Sequence, residues 1–155
     1  MKVKLYRAVL DDCRYPVLVK ENGNYVCDGR KPFNNPEVIY DFCTRELDLN
    51  RAAEEYAYCF ALDTKCHLMG VFEVSHGNVN GSIVSPREIF QKLLLLGAVS
   101  FIMVHNHPTG DASPTQEDAA VTERLRQAGE LMGINLVDHI VIGEGNYYSF
   151  TEHGC

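Results

Sequence analysis

No stretch of this chain is apolar for the length that a membrane span requires, and Met1-Lys2-Val3-Lys4 lacks the apolar core of a signal peptide. A cytoplasmic protein with no membrane partner is therefore expected. No Lys/Arg run occurs either. With 14 basic against 21 acidic side chains and a net charge of −7, the chain is poorly suited to gripping phosphate backbones, so nucleic acid is a disfavoured partner that would need a local basic patch. The six cysteines (Cys13, Cys27, Cys43, Cys59, Cys66 and Cys155) contain no C-x-x-C pair. Cys43 and Cys59 sit in apolar stretches, and together these features point to reduced core thiols rather than disulfides or zinc ligands. Internal repeats and low-complexity tracts are absent as well.

What is present is an ordinary globular composition, 46% hydrophobic and 23% charged over 155 residues, enough for one domain with a real core. Residues 2–10 and 15–27 read as strands, with turns at Asp11-Asp12 and Asn22-Gly23-Asn24. The polar stretch 28–35, broken by Gly29 and Pro32, separates a small N-terminal β-hairpin appendage (1–34) from the main domain (35–155). Asn35-Pro36-Glu37 starts a helix that fades near Leu49. Strands follow at 56–62 and 68–74, then a capping box at Ser85-Pro86-Arg87-Glu88 opens a leucine-rich helix that stops at Gly97. A buried strand from Val99, a helix over about 114–131 ended by Gly133, and strands at 134–142 and 147–150 complete the chain. Strands and helices interleave, which predicts an α/β domain built on a mixed sheet.

The stretch Val99 to Asp118, VSFIMVHNHPTGDASPTQED, carries the chemistry. Residues i and i+2 of a strand share a face, so His105 and His107 can point at one place. Pro108 ends the ladder, Thr109-Gly110-Asp111 turns the chain, and the helix start near Ser113-Pro114-Thr115 can return Asp118 to the same place. Two imidazoles and a carboxylate are a ligand set for zinc, and three protein ligands leave a fourth position for water, as catalytic sites do. Glu73 interrupts an apolar strand, where a carboxylate is expensive unless it is paired, solvated or used. On that segment alone, exposure on an edge strand is the simpler account.

At Glu73, His105-Asn106-His107-Pro108, Thr115 and Asp118 the sequence resembles the JAMM (MPN/JAB) metalloprotease domain, whose signature is a distant Glu, His-x-His-Pro, a gap, and Ser-x-x-Asp. The resemblance is closer to the bacterial RadC-like subfamily, through Phe72-Glu73-Val74-Ser75-His76-Gly77, Ser85-Pro86-Arg87-Glu88, His105 to Asp111 and Asp138 to Gly143, and covers roughly residues 35–152. It implies a mixed β-sheet flanked by helices, related to the cytidine-deaminase architecture. It also implies Zn2+ on His105, His107 and Asp118, Glu73 as general base, and Thr115 in place of the serine that supports the oxyanion. Asp138 and His139 match a subfamily motif and are expected to be structural or to support the ligands. Deamination itself is discounted, because that pattern needs His-x-Glu and a later Pro-Cys-x-x-Cys, and the chain has neither.

The function that the resemblance implies is hydrolysis of a peptide or isopeptide amide in a peptide or protein substrate by a zinc-activated water. The alternative is a DNA-repair or mobile-element accessory protein of RadC type whose metal site is structural or vestigial. Residues 1–34 read as a hairpin where a helix-hairpin-helix module often precedes RadC-type domains, which weakens the DNA-repair reading, and the acidic charge weakens it further. Binding to random duplex at physiological salt should be no tighter than the roughly 10⁻⁴–10⁻⁶ M of non-specific binders. A salt titration that gave tight, steeply salt-dependent binding would favour the accessory reading.

Overall fold

The computed structural model describes residues 3–21, 31–77 and 84–154. Strands β1 (Leu5–Leu10), β2 (Pro16–Glu21), β3 (Tyr56–Leu62), β4 (Leu68–His76), β5 (Ser100–Asn106), β6 (Asn135–Ile142) and β7 (Tyr147–Ser149) form one seven-stranded sheet in the order β2-β1-β4-β3-β5-β6-β7. The sheet is mixed: β5 and β6 run parallel, β1 meets β4 in parallel at Leu5↔Val71, and the other neighbours are antiparallel. The expected turn at residues 22–24, the end of the second expected strand, and Cys27 and Cys155 lie outside the described residues. The N-terminal hairpin continues the sheet rather than standing off it: Val71 N–H donates to Lys4 O at 3.0 Å, and Val3 is buried with Phe33 in the same core.

Three helices cover the two faces, and the period-2 alternation of the central strands decides which residue meets which helix. On one face Phe60, Leu62, Ile102, Val104, Ile140 and Ile142 pack with Ile39, Phe42 and Cys43 of α1 (Pro36–Arg45). On the other, Cys59, Ala61, Phe72, Phe101 and Met103 meet Ile89, Phe90 and Leu93 of α2 (Pro86–Leu96) and Val121 and Leu125 of α3 (Gln116–Met132). His105 continues the series Phe101, Met103, and therefore emerges on the α2/α3 face just where the hydrophobic packing ends.

Helix boundaries follow local chemistry. Asn35 caps α1 by accepting from Glu37 N–H at 2.8 Å, with Pro36 at the first helical position. That helix stops at Arg45, earlier than its apolar pattern suggests, and a short 3₁₀ turn at Leu49–Arg51 follows. Ser85 caps α2 without the expected side-chain bond, because the Glu88 and Ile89 N–H groups reach the Ser85 carbonyl instead. The capping box belongs to α3: Thr115 Oγ1 accepts from Asp118 N–H at 3.2 Å while the Asp118 carboxylate accepts from Thr115 N–H at 2.7 Å. Gly97 and Gly133 end α2 and α3 with positive φ of 74° and 69°. Cys13, Cys43, Cys59 and Cys66 are free thiols, and burial raises the pKa of Cys43 and Cys59 so that both stay protonated and inert.

After β6 the chain passes against the loop that leaves β5. A Cβ at Gly143 would overlap Asn146 Oδ1 and come within 2.5 Å of Gly110 O, where Glu144 N–H already donates to that carbonyl at 2.8 Å. Gly143→Ala should push this loop outward and destabilise the protein by about 1–3 kcal/mol, the usual range for overpacking. Thermal unfolding should then shift down by about 2–4 °C per kcal/mol; an unchanged midpoint would mean that the contact is not constrained.

Candidate metal centre

The centre lies at the carboxyl end of β5, between β3 and β6 and over the N-terminus of α3. Three side chains converge there. His105 Nε2 lies 3.1 Å from His107 Nε2 and 3.2 Å from Asp118 Oδ1, and His107 Nε2 lies 3.4 Å from Asp118 Oδ2. Donors bound to a tetrahedral zinc at about 2.0–2.2 Å stand roughly 3.3–3.5 Å apart, so this spacing fits such an ion.

The outer nitrogens decide what the inner ones can do. Thr122 Oγ1 sits 2.7 Å from Asp118 O and can only donate to it, so its single hydrogen is committed there. The contact of 2.6 Å between Thr122 Oγ1 and His139 Nδ1 then requires a proton on that nitrogen. Burial drives the His139 pKa well below its ordinary value, so the ring is neutral and its Nε2 is bare. His105 Nδ1–H must therefore donate to His139 Nε2 at 2.8 Å, and His107 Nδ1–H donates to Asp111 O at 2.9 Å. Both imidazoles are left with an Nε2 lone pair. Two neutral rings so arranged aim lone pairs at each other across 3.1 Å, which is repulsive unless a cation, proton or metal, lies between them.

Asp118 is set for the same cation. Its Oδ2 accepts from both the backbone N–H and the hydroxyl of Thr115, at 2.7 and 2.8 Å, and its Oδ1 faces His105. Burial pushes its carboxyl up, but the two imidazoles more than reverse this and hold it well below the ordinary carboxylate range. Its place in the first turn of α3 favours the ionised form further. The Thr115 hydroxyl hydrogen is thus directed at Asp118 Oδ2.

Glu73 does not reach this place. It pairs across the sheet with Tyr58, which pairs with Val104, and both of those face α1; His105 pairs with Ala57 on the opposite face. A β-bulge between Ala57 and Tyr58 shifts the register of β4, and the Glu73 side chain ends 46% exposed, 4.0 Å from His76 Nδ1. The strand position is thus solvated, which is why its carboxylate is tolerated. The carboxylate at the centre belongs to Glu55, which offers an oxygen within 4.8 Å of ligand nitrogens on both His105 and His107 but forms no ion pair with either. Extending the antiparallel register Ala57↔His105 by two residues sets Glu55 opposite His107. The signal was therefore the pairing of β3 with β5, which the sequence does not display. Burial raises the Glu55 pKa, and the imidazoles offset only part of that rise.

A cavity of about 380 Å³ opens over these groups, lined by the apolar Ala57, Val84, Met103 and Val121 and the polar Thr109, Thr115 and Glu117. It is large enough for a short segment of substrate beside the cation site.

Comparison with known proteins follows the same line. The sequence model of the RadC-like JAB domain matches residues 33–155. A UPF0758 protein of Pelobacter propionicus is 47% identical over 123 residues, covering 79% of this chain and 52% of that protein. One from Methanosarcina acetivorans is 52% identical over 137 residues, covering 88% of this chain and 59% of that protein. Another from Geobacter sulfurreducens is 43% identical over 129 residues, covering 83% and 55%. The chain spans little more than half the length of these relatives.

If the three side chains hold a metal, His107→Ala should remove it while the fold survives, and metal analysis of wild type and variant should differ by about one ion per chain. The Asp118 carboxylate raises the His107 pKa above its ordinary 6.5, so a proton competes for Nε2 in the metal-free protein. A neutral imidazole is needed for binding, so apparent metal affinity should fall as pH drops through that raised value, by up to about tenfold per unit for each proton taken up. An affinity flat between pH 8 and about 5.5 would contradict the assignment.

Proposed function

Because the chain belongs to the RadC-like JAB domain family, we propose that it is a zinc-dependent metallohydrolase that cleaves a peptide or isopeptide amide. The observation that carries this reading is the convergence of two imidazole lone pairs and one carboxylate in a cavity that also holds a second carboxylate, Glu55. His105, His107 and Asp118 hold the ion. A zinc ion held by them would act as a Lewis acid and would lower the pKa of a bound water from 15.7 to about 7.

The chain's own residues do the rest. Glu55 takes the proton of the attacking water at a carboxylate oxygen and delivers it to the leaving amine, and the rise in its pKa with burial moves it toward the operating pH of a base. Thr115, to which the family resemblance gives the oxyanion, instead orients Asp118 through two hydrogen bonds. Asp111 O and the His139–Thr122 pair fix the tautomers of His107 and His105. Ala57, Val84, Met103 and Val121 give the cavity an apolar lining against which the substrate packs.

Glu55→Gln should retain fold and metal and lose roughly 10²–10⁴-fold in activity, the range of general acid–base catalysis. Glu73→Gln should stay near wild type, since Glu73 lies on the far face of the sheet. Asp118→Asn should lose metal and activity together. Peptide and isopeptide libraries provide the screen for a substrate. Full turnover by metal-loaded Glu55→Gln rules out the base, and no turnover by wild type on any amide would leave the accessory-protein reading in place.

A further inference from the structure

The residue between the two histidines takes no part in holding the cation. Asn106 is 1% exposed, at the last position of β5. Backbone pairing between β3 and β5 ends one step earlier, at Ala57↔His105. From there the Asn106 carboxamide continues the ladder in place of a peptide group. Its Oδ1 accepts from Tyr56 N–H at 2.8 Å, and its Nδ2 donates to Glu54 O at 3.0 Å. An N–H can only donate and a carbonyl can only accept, so the two partners fix the amide's orientation. The residue between those two backbone groups is Glu55.

The Glu55 carboxylate has no hydrogen-bond partner of its own among the described residues. Its placement over the centre therefore depends on how the backbone at residue 55 is held. On the β4 side Gly77 N–H donates to Glu55 O at 2.9 Å, and the Glu54 side chain is bonded to His76. On the β5 side, among the described residues, Asn106 supplies the tie. Without it, Tyr56 N–H and Glu54 O lose their partners at the very end of a strand, where pairing frays most readily.

We propose that Asn106 is a positioning residue, whose carboxamide splints the backbone on both sides of Glu55 and so aims the carboxylate that the proposed hydrolysis uses as base. This rests on the hydrolase reading for its consequence, though not for its geometry. It accounts for an amide between two ligands whose side chains point elsewhere: a carboxylate would set an acceptor against the Glu54 carbonyl, and an apolar side chain would satisfy neither group.

The test uses the full chain, loaded with Co2+ as a paramagnetic probe, and the variants Asn106→Ala and Asn106→Asp. Both variants should keep one metal per chain, because His105, His107 and Asp118 are untouched. The carboxyl carbon of Glu55, read by NMR in ¹³C-glutamate-labelled protein, should lose much of its paramagnetic shift in both. Amide exchange at Tyr56 should accelerate roughly tenfold in Asn106→Ala and less in Asn106→Asp, which keeps the acceptor. With a substrate in hand, kcat of Asn106→Ala should fall by roughly 100-fold at unchanged KM. The same change in a Glu55→Gln background should add nothing, since both act on one function. A Glu55 shift unchanged in both loaded variants overturns the proposal. So does a further activity loss in the Glu55→Gln background, or loss of Co2+ binding by both variants, which would mean that Asn106 serves the ligands. Absence of turnover by wild type overturns the hydrolase reading alone, because shift and exchange are read without substrate.

Discussion

Two imidazole nitrogens held 3.1 Å apart, each with its other nitrogen committed as a donor, form the constraint on which this structure turns. Two lone pairs aimed at one another repel unless a cation, proton or metal, lies between them. Everything needed to hold that arrangement is built around it. The Asp111 carbonyl is presented by a loop that packs against Gly143, His139 comes from the neighbouring parallel strand, and Thr122 comes from the helix that joins the two strands. The β5–α3–β6 unit thus supplies the three converging side chains and the groups that set the imidazole tautomers from one continuous stretch of chain, 100–142.

The surrounding fold works in service of that unit. Burial of Phe60, Phe101, Ile102, Leu125 and Ile140 locks β3, β5, β6 and α3 together, and the polar groups begin where this packing stops. Asp138 is buried and fully used, accepting from His139 N–H, Ser149 Oγ–H and Thr151 N–H, so it ties β7 to the strand that carries His139. A carboxylate with three donors needs no further role to account for its burial. The Glu55 carboxylate differs from it in having none among the described residues.

The mixed sheet with flanking helices was legible in the sequence because strand and helix periods alternate cleanly and Asn35-Pro36, Gly97 and Gly133 mark boundaries by local chemistry. The approach of His105, His107 and Asp118 was legible for a related reason: the i, i+2 spacing of a strand and the first turn of the next helix are local properties. Glu55 was not, since its place depends on the register of two strands that are about fifty residues apart, and a bulge in β4 turns the more conspicuous Glu73 to the other face of the sheet. The motif match at Asp138-His139 pointed to a structural or supporting role, and His139 does bond His105; its bond to Thr122 was hidden, because neither residue has a sequence neighbour that betrays its partner. The capping box shows the same limit at short range. Ser85 and Thr115 both carry the pattern, yet only Thr115 forms the reciprocal bonds, and there the acidic partner is also turned toward the imidazoles.

The central claim is that His105 and His107 present bare Nε2 atoms to one cation. Long-range ¹H–¹⁵N correlation of the histidine side chains at alkaline pH reads it directly, without a substrate. The account requires both residues to carry the proton on Nδ1 when metal-free, and both Nε2 resonances to move when Zn2+ is added while Nδ1 stays protonated. An Nε2–H tautomer at either histidine, or Nε2 resonances indifferent to Zn2+, would contradict it.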